Sequence, residues 1–314
     1  VENNTLTWGS GNIDVEPMFV DTANGNYHLT AASFLINAGH PDSTDLDGSR
    51  ADIGAYPFDT DNSSGIWHVS TSGSDTSGTG TQQNPFRTIQ AGINLADFGD
   101  SVVVVAGTYT ENIILRGQST KLVGENKINT IIDGGGNGST VLITDQHYLN
   151  ASGELDTVTI KNFTIRNGSG INDLTQPGGS GNESGGGVYV FSGDATLENL
   201  IIEDNSAKTG GGFAAQDASI LIDRCILRNN VSENRGTAIW TRGVSFEIHN
   251  SLIQENFFIG DNNEMAAAIA LSGGNYKFVN ITVANNHGRP IWAFDQNPTV
   301  LLANSILTWH DGQG

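Results

Sequence analysis

The chain has 314 residues, enough for a large core in one or two domains, and it carries 34 Asp plus Glu against 14 Lys plus Arg, a formal net charge of −20. That charge excludes nucleic acid and anionic membrane as partners unless a cation intervenes, and no run of about 18 apolar residues exists to span a bilayer. A single cysteine, Cys225, excludes an internal disulfide framework and a multi-cysteine metal site, and a composition rich in Asn, Thr, Ser and Gly with few lysines points to a secreted protein, extracellular or at a cell surface.

Residues 1–57 come first, as a turn-rich tail. Its apolar residues Ile13, Val15, Met18, Phe19, Val20, Leu29, Phe34, Leu35 and Ile36 are too many for a solvated segment, so they are expected to pack against a coil end. Within the tail, "DSTDLDGSRAD" sets Asp45, Asp47 and Asp52, together with Asp42, around Gly48. Carboxylates this close to a turn glycine suit Ca²⁺, although Ser43 interrupts a full calcium-loop alternation, and the same residues also suit an Asx-rich turn without an ion. Residues 58–65 read as a polar linker, and 66–314 as one repetitive domain.

After Asn84-Pro85, the residues Phe86, Ile89, Ile93 and Leu95 fall near helical spacing and predict a short helix covering an open sheet edge. Strand-like runs such as "SVVVV" and "STVLIT" follow. From residue 160 onward the sequence repeats a pattern of apolar, variable, Asn, variable, variable, apolar. The Asn position is filled by Asn162, Asn199, Arg224, Asn250, Asn280 and Asn304, at spacings of 37, 25, 26, 30 and 24. Each unit is a set of short β-branched runs bounded by Gly and Asn, too small to bury its own apolar face, so the units must stack at about 4.8 Å. Stacking lines up the repeated amides as an asparagine ladder, and the fold class is all-β, a parallel β-helix with a short N-terminal capping helix. Arg224 interrupts the ladder, either at a bend or by reaching outward while its backbone keeps the turn. Cys225 reads as a small buried thiol.

Beside the ladder, outward positions form two stripes, Lys161, Glu198, Asp223, His249 and Arg166, Glu203, Arg228, Gln254. Glu198, Asp223 and His249 are the sharpest candidate for catalysis, two carboxylates one coil apart with a histidine next along. Alternating charges along one face also suit plain cross-strand pairing. The Gly-rich stretch 167–187 leaves the solenoid as a lateral loop, either a surface loop or the wall of a glycan groove with Tyr189, Phe191 or Trp240. Asn137, Asn230 and Asn280 lie in glycosylation sequons.

"VSTSGSD", "NPFRTIQAGI", "GDSVVVVAGTYTENI" and "TIIDGGG" resemble the N-terminal part of right-handed parallel β-helix proteins of the pectate-lyase-like superfamily, and the resemblance covers residues 66–307. It implies the fold and its right hand, and leaves activity open, because this fold carries lyases, hydrolases, esterases, adhesins and structural modules. "GTYTENI" is similar to pectin methylesterases near their N-terminus, but the catalytic segments of those enzymes have no counterpart here. The stretch 12–58 resembles the closing segment that follows the last coil in bacterial extracellular β-helix proteins, here displaced to the front. Folding back to its own C-terminal end would span 8 to 10 coils, about 40 Å, whereas the linker reaches about 26 Å. The expectation is therefore head-to-tail self-association, residues 1–57 docking on a preceding unit to build an extracellular array or filament. The alternative is a polysaccharide-active enzyme or glycan-binding adhesin on the same scaffold.

Overall fold

The structure, a computed structural model, describes residues 12–13, 15–40, 43–45, 48–58, 65–116, 119–144, 157–172 and 183–309. Short strands wind into a solenoid with four sides. A nine-stranded sheet runs from Ile66–Val69 to Thr299–Ala303, an eight-stranded sheet from Gly107–Thr110 to Ile306–Leu307, and a seven-stranded sheet from Ile113–Leu115 to Arg289–Phe294. A five-stranded sheet lines the remaining side, and all pairings in the solenoid are parallel except Ile171–Asn172 with Glu183–Ser184. One coil supplies one strand to each side: Asp194–Glu198, Ile201–Glu203, Ser206–Thr209 and Phe213–Gln216. The next coil lies in register beside it, Glu198 against Asp223 and Ile202 against Leu227.

Alternation within each strand sends one set of side chains inward. Leu197, Ile222, Ile248 and Phe278 form such a column, all without exposed surface, and the ring of Phe246 lies 5.8 Å from Phe213 and 6.3 Å from Phe278. The corners explain the asparagines. Asn162, Asn199, Arg224, Asn250, Asn280 and Asn304 all hold φ between 49° and 66°, a left-handed conformation that Asn tolerates better than most side chains. Along this corner Asn199 donates to Asn162 at 2.8 Å and Asn280 to Asn250 at 3.1 Å. A second ladder lies six residues further on, inside the wall. Asn205, Asn230, Asn256 and Asn286 are buried, each donating its amide to the next one's Oδ1 at 3.0, 2.9 and 2.8 Å.

The predicted helix is present as α1, Ile89–Leu95, with Phe86, Ile89, Ile93 and Leu95 all buried. Thr88 caps it, and the Glu111 carboxylate accepts the N–H groups of Ile89 and Gln90 at 2.9 and 3.0 Å. Gly92 lets α1 lie directly on the first coils, since a Cβ there would meet Val102 Cγ1 at 2.8 Å.

The tail settles on this helix. Leu29, Ala31, Leu35 and Ile36 join the main core, Asn94 of α1 donates to the carbonyls of Ala31 and Ser33 at 3.2 and 2.9 Å, and Asn37 donates back to the carbonyl of Asn94 at 3.1 Å. Arg116 places its guanidinium 5.2 Å over the Phe34 ring. The expected burial of these residues on a neighbouring unit's coil end is thus replaced by burial on the chain's own N-terminal end. The limited reach of the linker excludes the distant C-terminal end but not this near one. The helix also supplies, in Gln90 and Asn94, buried amides that need partners.

Candidate functional site

Lys161, Glu198, Asp223 and His249 stand side by side on the outer face of the nine-stranded sheet, in the order the sequence predicts. The two carboxylates and the histidine are already engaged. Arg224 reaches out from its corner to Glu198 Oε1 and Asp223 Oδ2, each at 2.5 Å, and Asn250 donates to Asp223 Oδ1 at 2.9 Å. His249 turns away from Asp223. Its Nε2 lies 3.0 Å from Glu247 Oε2, close enough for attraction yet misaligned for a hydrogen bond, and Lys277 shares the same oxygen at 3.0 Å. Both oxygens of Asp223 and one oxygen of Glu198 are thus engaged in this arrangement. The second stripe is likewise paired, Arg228 with Glu203 at 2.6 Å and Arg166 with Asp133 at 2.9 Å.

In the tail, Asp52 accepts the N–H of Asn37 and of Phe58, both at 2.7 Å, on separate oxygens, and Asp45 Oδ2 accepts the N–H of Asp52 at 2.9 Å. These carboxylates act as acceptors for a folded turn; Asp42 and Asp47 lie outside the described residues. Cys225 is buried, and burial pushes its thiol up to about 12, so it is held as an unreactive thiol. Asn230 is fully buried, which closes its sequon to glycosylation, whereas Asn137 and Asn280 are exposed.

The arrangement with unused chemistry lies on the outer face of the seven-stranded sheet. A row of outward residues reads Ile114, Leu142, Tyr189, Ala214, Trp240, Ala270, Trp292, and the parallel row includes Phe191, Gln216, Arg242, Ser272 and Phe294. Together the apolar members form a hydrophobic cluster separate from the core. Tyr189, Phe191 and Trp240, named from the sequence, are buried here; Trp292 and Phe294 are half-buried at the open end of the row, with ring centroids 4.7 Å apart. Arg235 lies over Phe294 at 4.6 Å and over Trp292 at 5.6 Å, and Arg289 lies over Trp292 at 5.5 Å. Among the described residues none of Arg235, Arg242 and Arg289 forms an ion pair, while Trp240 Nε1, Gln216 Oε1 and Arg235 Nε are buried without a hydrogen-bond partner. Sequence reasoning passed over Arg235, Arg289, Trp292 and Phe294. The signal was the recurrence of Tyr-Val-Phe at 189–191 as Trp-Ala-Phe at 292–294, aromatic pairs at the two-residue spacing that puts both rings on one face.

Residues 186–310 match a family described as "Right handed beta helix region". The repeat region is a right-handed parallel β-helix. No curated protein matches the chain. Similar solved structures include pectin methylesterase PemA from Erwinia chrysanthemi, at 12% identity over 76% of this chain and 88% of that one with a TM-score of 0.37. The pectin methylesterase from Yersinia enterocolitica has 16% identity over 72% and 93%, TM-score 0.37, and that from Aspergillus niger in deglycosylated form 12% over 79% and 87%, TM-score 0.39. Likeness at this level says nothing of an activity. No helix among the described residues is long and apolar enough to cross a membrane.

Proposed function

We propose that the chain is an extracellular module that binds polysaccharide on the outer face of its seven-stranded sheet. The observation that carries this reading is the pair of guanidiniums, Arg235 and Arg289, stacked on half-buried Trp292 and Phe294 with no acidic partner among the described residues, in a chain of net charge −20. A sugar ring offers a C–H face to an aromatic plane and hydroxyl or carboxylate oxygens to an arginine fork, so the cluster fits a saccharide unit better than an apolar ligand. The row behind it alternates aromatic with alanine, Tyr189, Ala214, Trp240, Ala270, Trp292, which repeats the rings every second coil, about 9.6 Å apart. That interval is close to a disaccharide of an extended glycan. Tyr189 and Trp240 are covered, so binding begins at the Trp292 end.

The test is affinity electrophoresis and calorimetry of the intact chain against neutral and acidic polysaccharides. Trp292→Ala and Arg235→Gln should each weaken binding about tenfold, the loss of one ring or guanidinium contact of roughly 1–2 kcal/mol, in chains that circular dichroism shows still folded at the temperature of the assay. Failure to bind any member of the panel, or binding indifferent to both changes, overturns the reading.

A further inference from the structure

Two rows run side by side along the outer face of the seven-stranded sheet, and towards its Trp292 end both change character with every coil. In the first row, Ala270 separates Trp240 from Trp292. In the second, Arg242 is followed by Ser272 and then by Phe294, whose ring holds the Arg235 guanidinium at 4.6 Å. Neighbouring strands lie about 4.8 Å apart, so the Arg242 position and the Phe294 position are about 9.6 Å apart, the interval that also separates the two tryptophans.

Each tryptophan therefore has a cation at its side. Arg242 stands two residues beyond Trp240 on one strand and so on the same face; Trp240 is covered, but Arg242 is exposed. Arg235 and Arg289 lie over Trp292 at 5.6 and 5.5 Å. The coil between contributes only Ala270 and Ser272 to the two rows. Elsewhere on the solenoid Arg166, Arg224 and Arg228 are each tied to a carboxylate, whereas Arg235, Arg242 and Arg289 form no ion pair among the described residues. Asp217 and Asp295, in the bends that follow Gln216 and Phe294, pair with none of the three among the described residues.

We infer that the glycan bound by this face is acidic on alternate sugars: a chain of disaccharide repeats with one anionic group per repeat. One anion lies at Arg242, the next at Arg235 and Arg289, and an uncharged sugar crosses Ala270 and Ser272. The inference rests on the polysaccharide reading and adds to it a charge and a spacing. A neutral glycan would leave three guanidiniums unmatched. A glycan charged on every sugar would set an anion over the uncharged coil, where a chain of net charge −20 repels it.

The test is calorimetry of the intact chain with hexasaccharides of hyaluronan and of unsulfated chondroitin, each with one carboxylate per disaccharide. Their carboxyl-reduced forms, which are neutral, and hexagalacturonate, charged on every sugar, are run beside them. At least one of the first two should bind about tenfold more tightly than its own reduced form and than hexagalacturonate, and this preference should shrink as salt is raised. Arg242→Gln, at an exposed position, should weaken binding of the acidic hexasaccharide about tenfold and leave its reduced form unchanged. The inference is overturned if neither acidic hexasaccharide binds, if a reduced form or hexagalacturonate binds as tightly, or if Arg242→Gln affects both forms alike or neither. Binding of the neutral forms that Trp292→Ala abolishes would then keep the polysaccharide reading while the charge spacing falls; absence of all binding removes both.

Discussion

Arg224 carries its guanidinium to Glu198 one coil back, 2.5 Å from Oε1, while its own backbone, at φ 55°, holds the left-handed corner that Asn199 and Asn250 hold on either side. One residue thus serves the turn with its main chain and the outer face with its side chain. The ion pairs are largely exposed and worth at most about 1 kcal/mol each, and a left-handed corner costs an ordinary side chain roughly 1–2 kcal/mol more than it costs Asn or Gly. Arg224→Asn should therefore leave stability within about 1 kcal/mol of the parent, because the rejoined amide ladder offsets the lost pairs. Arg224→Val should cost about 1–2 kcal/mol in urea denaturation. Equal effects from both changes would mean that the corner, not the side chain, is irrelevant.

The two ladders make unequal predictions. Asn230 is fully buried, donates to the Ile202 carbonyl and to Asn256, and accepts from the Asn205 N–H and amide. Asn230→Ala leaves the Asn205 N–H without its acceptor, at about 1–3 kcal/mol, and cuts the amide chain on both sides, so a loss of roughly 2–3 kcal/mol is expected. Asn280 lies on the exposed corner with one amide donation to Asn250. Asn280→Ala should cost about 1–2 kcal/mol, chiefly through its φ of 56°, and Asn280→Gly close to nothing. Chemical denaturation of the three variants side by side decides whether conformation or hydrogen bonding dominates at each corner.

The fold was legible because its cause is periodic: a corner that recurs in every coil selects Asn at Asn162, Asn199, Asn250, Asn280 and Asn304, and a recurring residue can be aligned by eye. The inner ladder obeys the same period, six residues on at Asn205, Asn230, Asn256 and Asn286, yet adjacent amides in "RNN" and "ANN" blend into an Asn-rich background. The stripe Glu198, Asp223, His249 was legible as a row, but its pairing was not, since the residue that ties the two carboxylates together, Arg224, belongs to a different column. Arg235 and Trp292 meet across two sheets and 57 positions of sequence, and no local pattern announces such a contact.

Asp52 offers a way to separate the two readings of the tail's acidic loop. Its two oxygens accept backbone N–H groups from Asn37 and Phe58. If that is its work, Asp52→Asn destabilises the tail by about 2–3 kcal/mol, the value of hydrogen bonds to a charged acceptor, and does so equally in calcium and in chelator. Calcium held by Asp45, Asp47 and Asp52 predicts the opposite: a melting temperature that rises with calcium by mass action in the parent and not in the variant. The titration is run on a sample first stripped of metal.

Glu111 should make the N-terminal end sensitive to pH. Burial pushes its carboxyl up to about 7, against the pull of the Ile89 and Gln90 N–H groups that it accepts, with Asp75 adding repulsion. A carboxyl whose folded pKa lies above its unfolded value of 4.5 contributes stability that is complete below 4.5 and is lost as pH rises through 7. The sign is therefore opposite to that of a carboxylate in an ion pair: acidification from pH 8 to pH 5 tightens this end. The shift corresponds to on the order of 3 kcal/mol across the window. Amide exchange at Ile89, Gln90 and Ala91 should slow as pH falls, after correction for the intrinsic rate. Glu111→Gln should flatten the dependence while lowering protection overall, because an amide can accept only one of the two N–H groups. The tail shares this fate through Asn94, so Ala31 should follow the same profile. Exchange at Ala31 and Gln90 that stays constant between pH 8 and pH 5 would show that Glu111 remains ionised throughout.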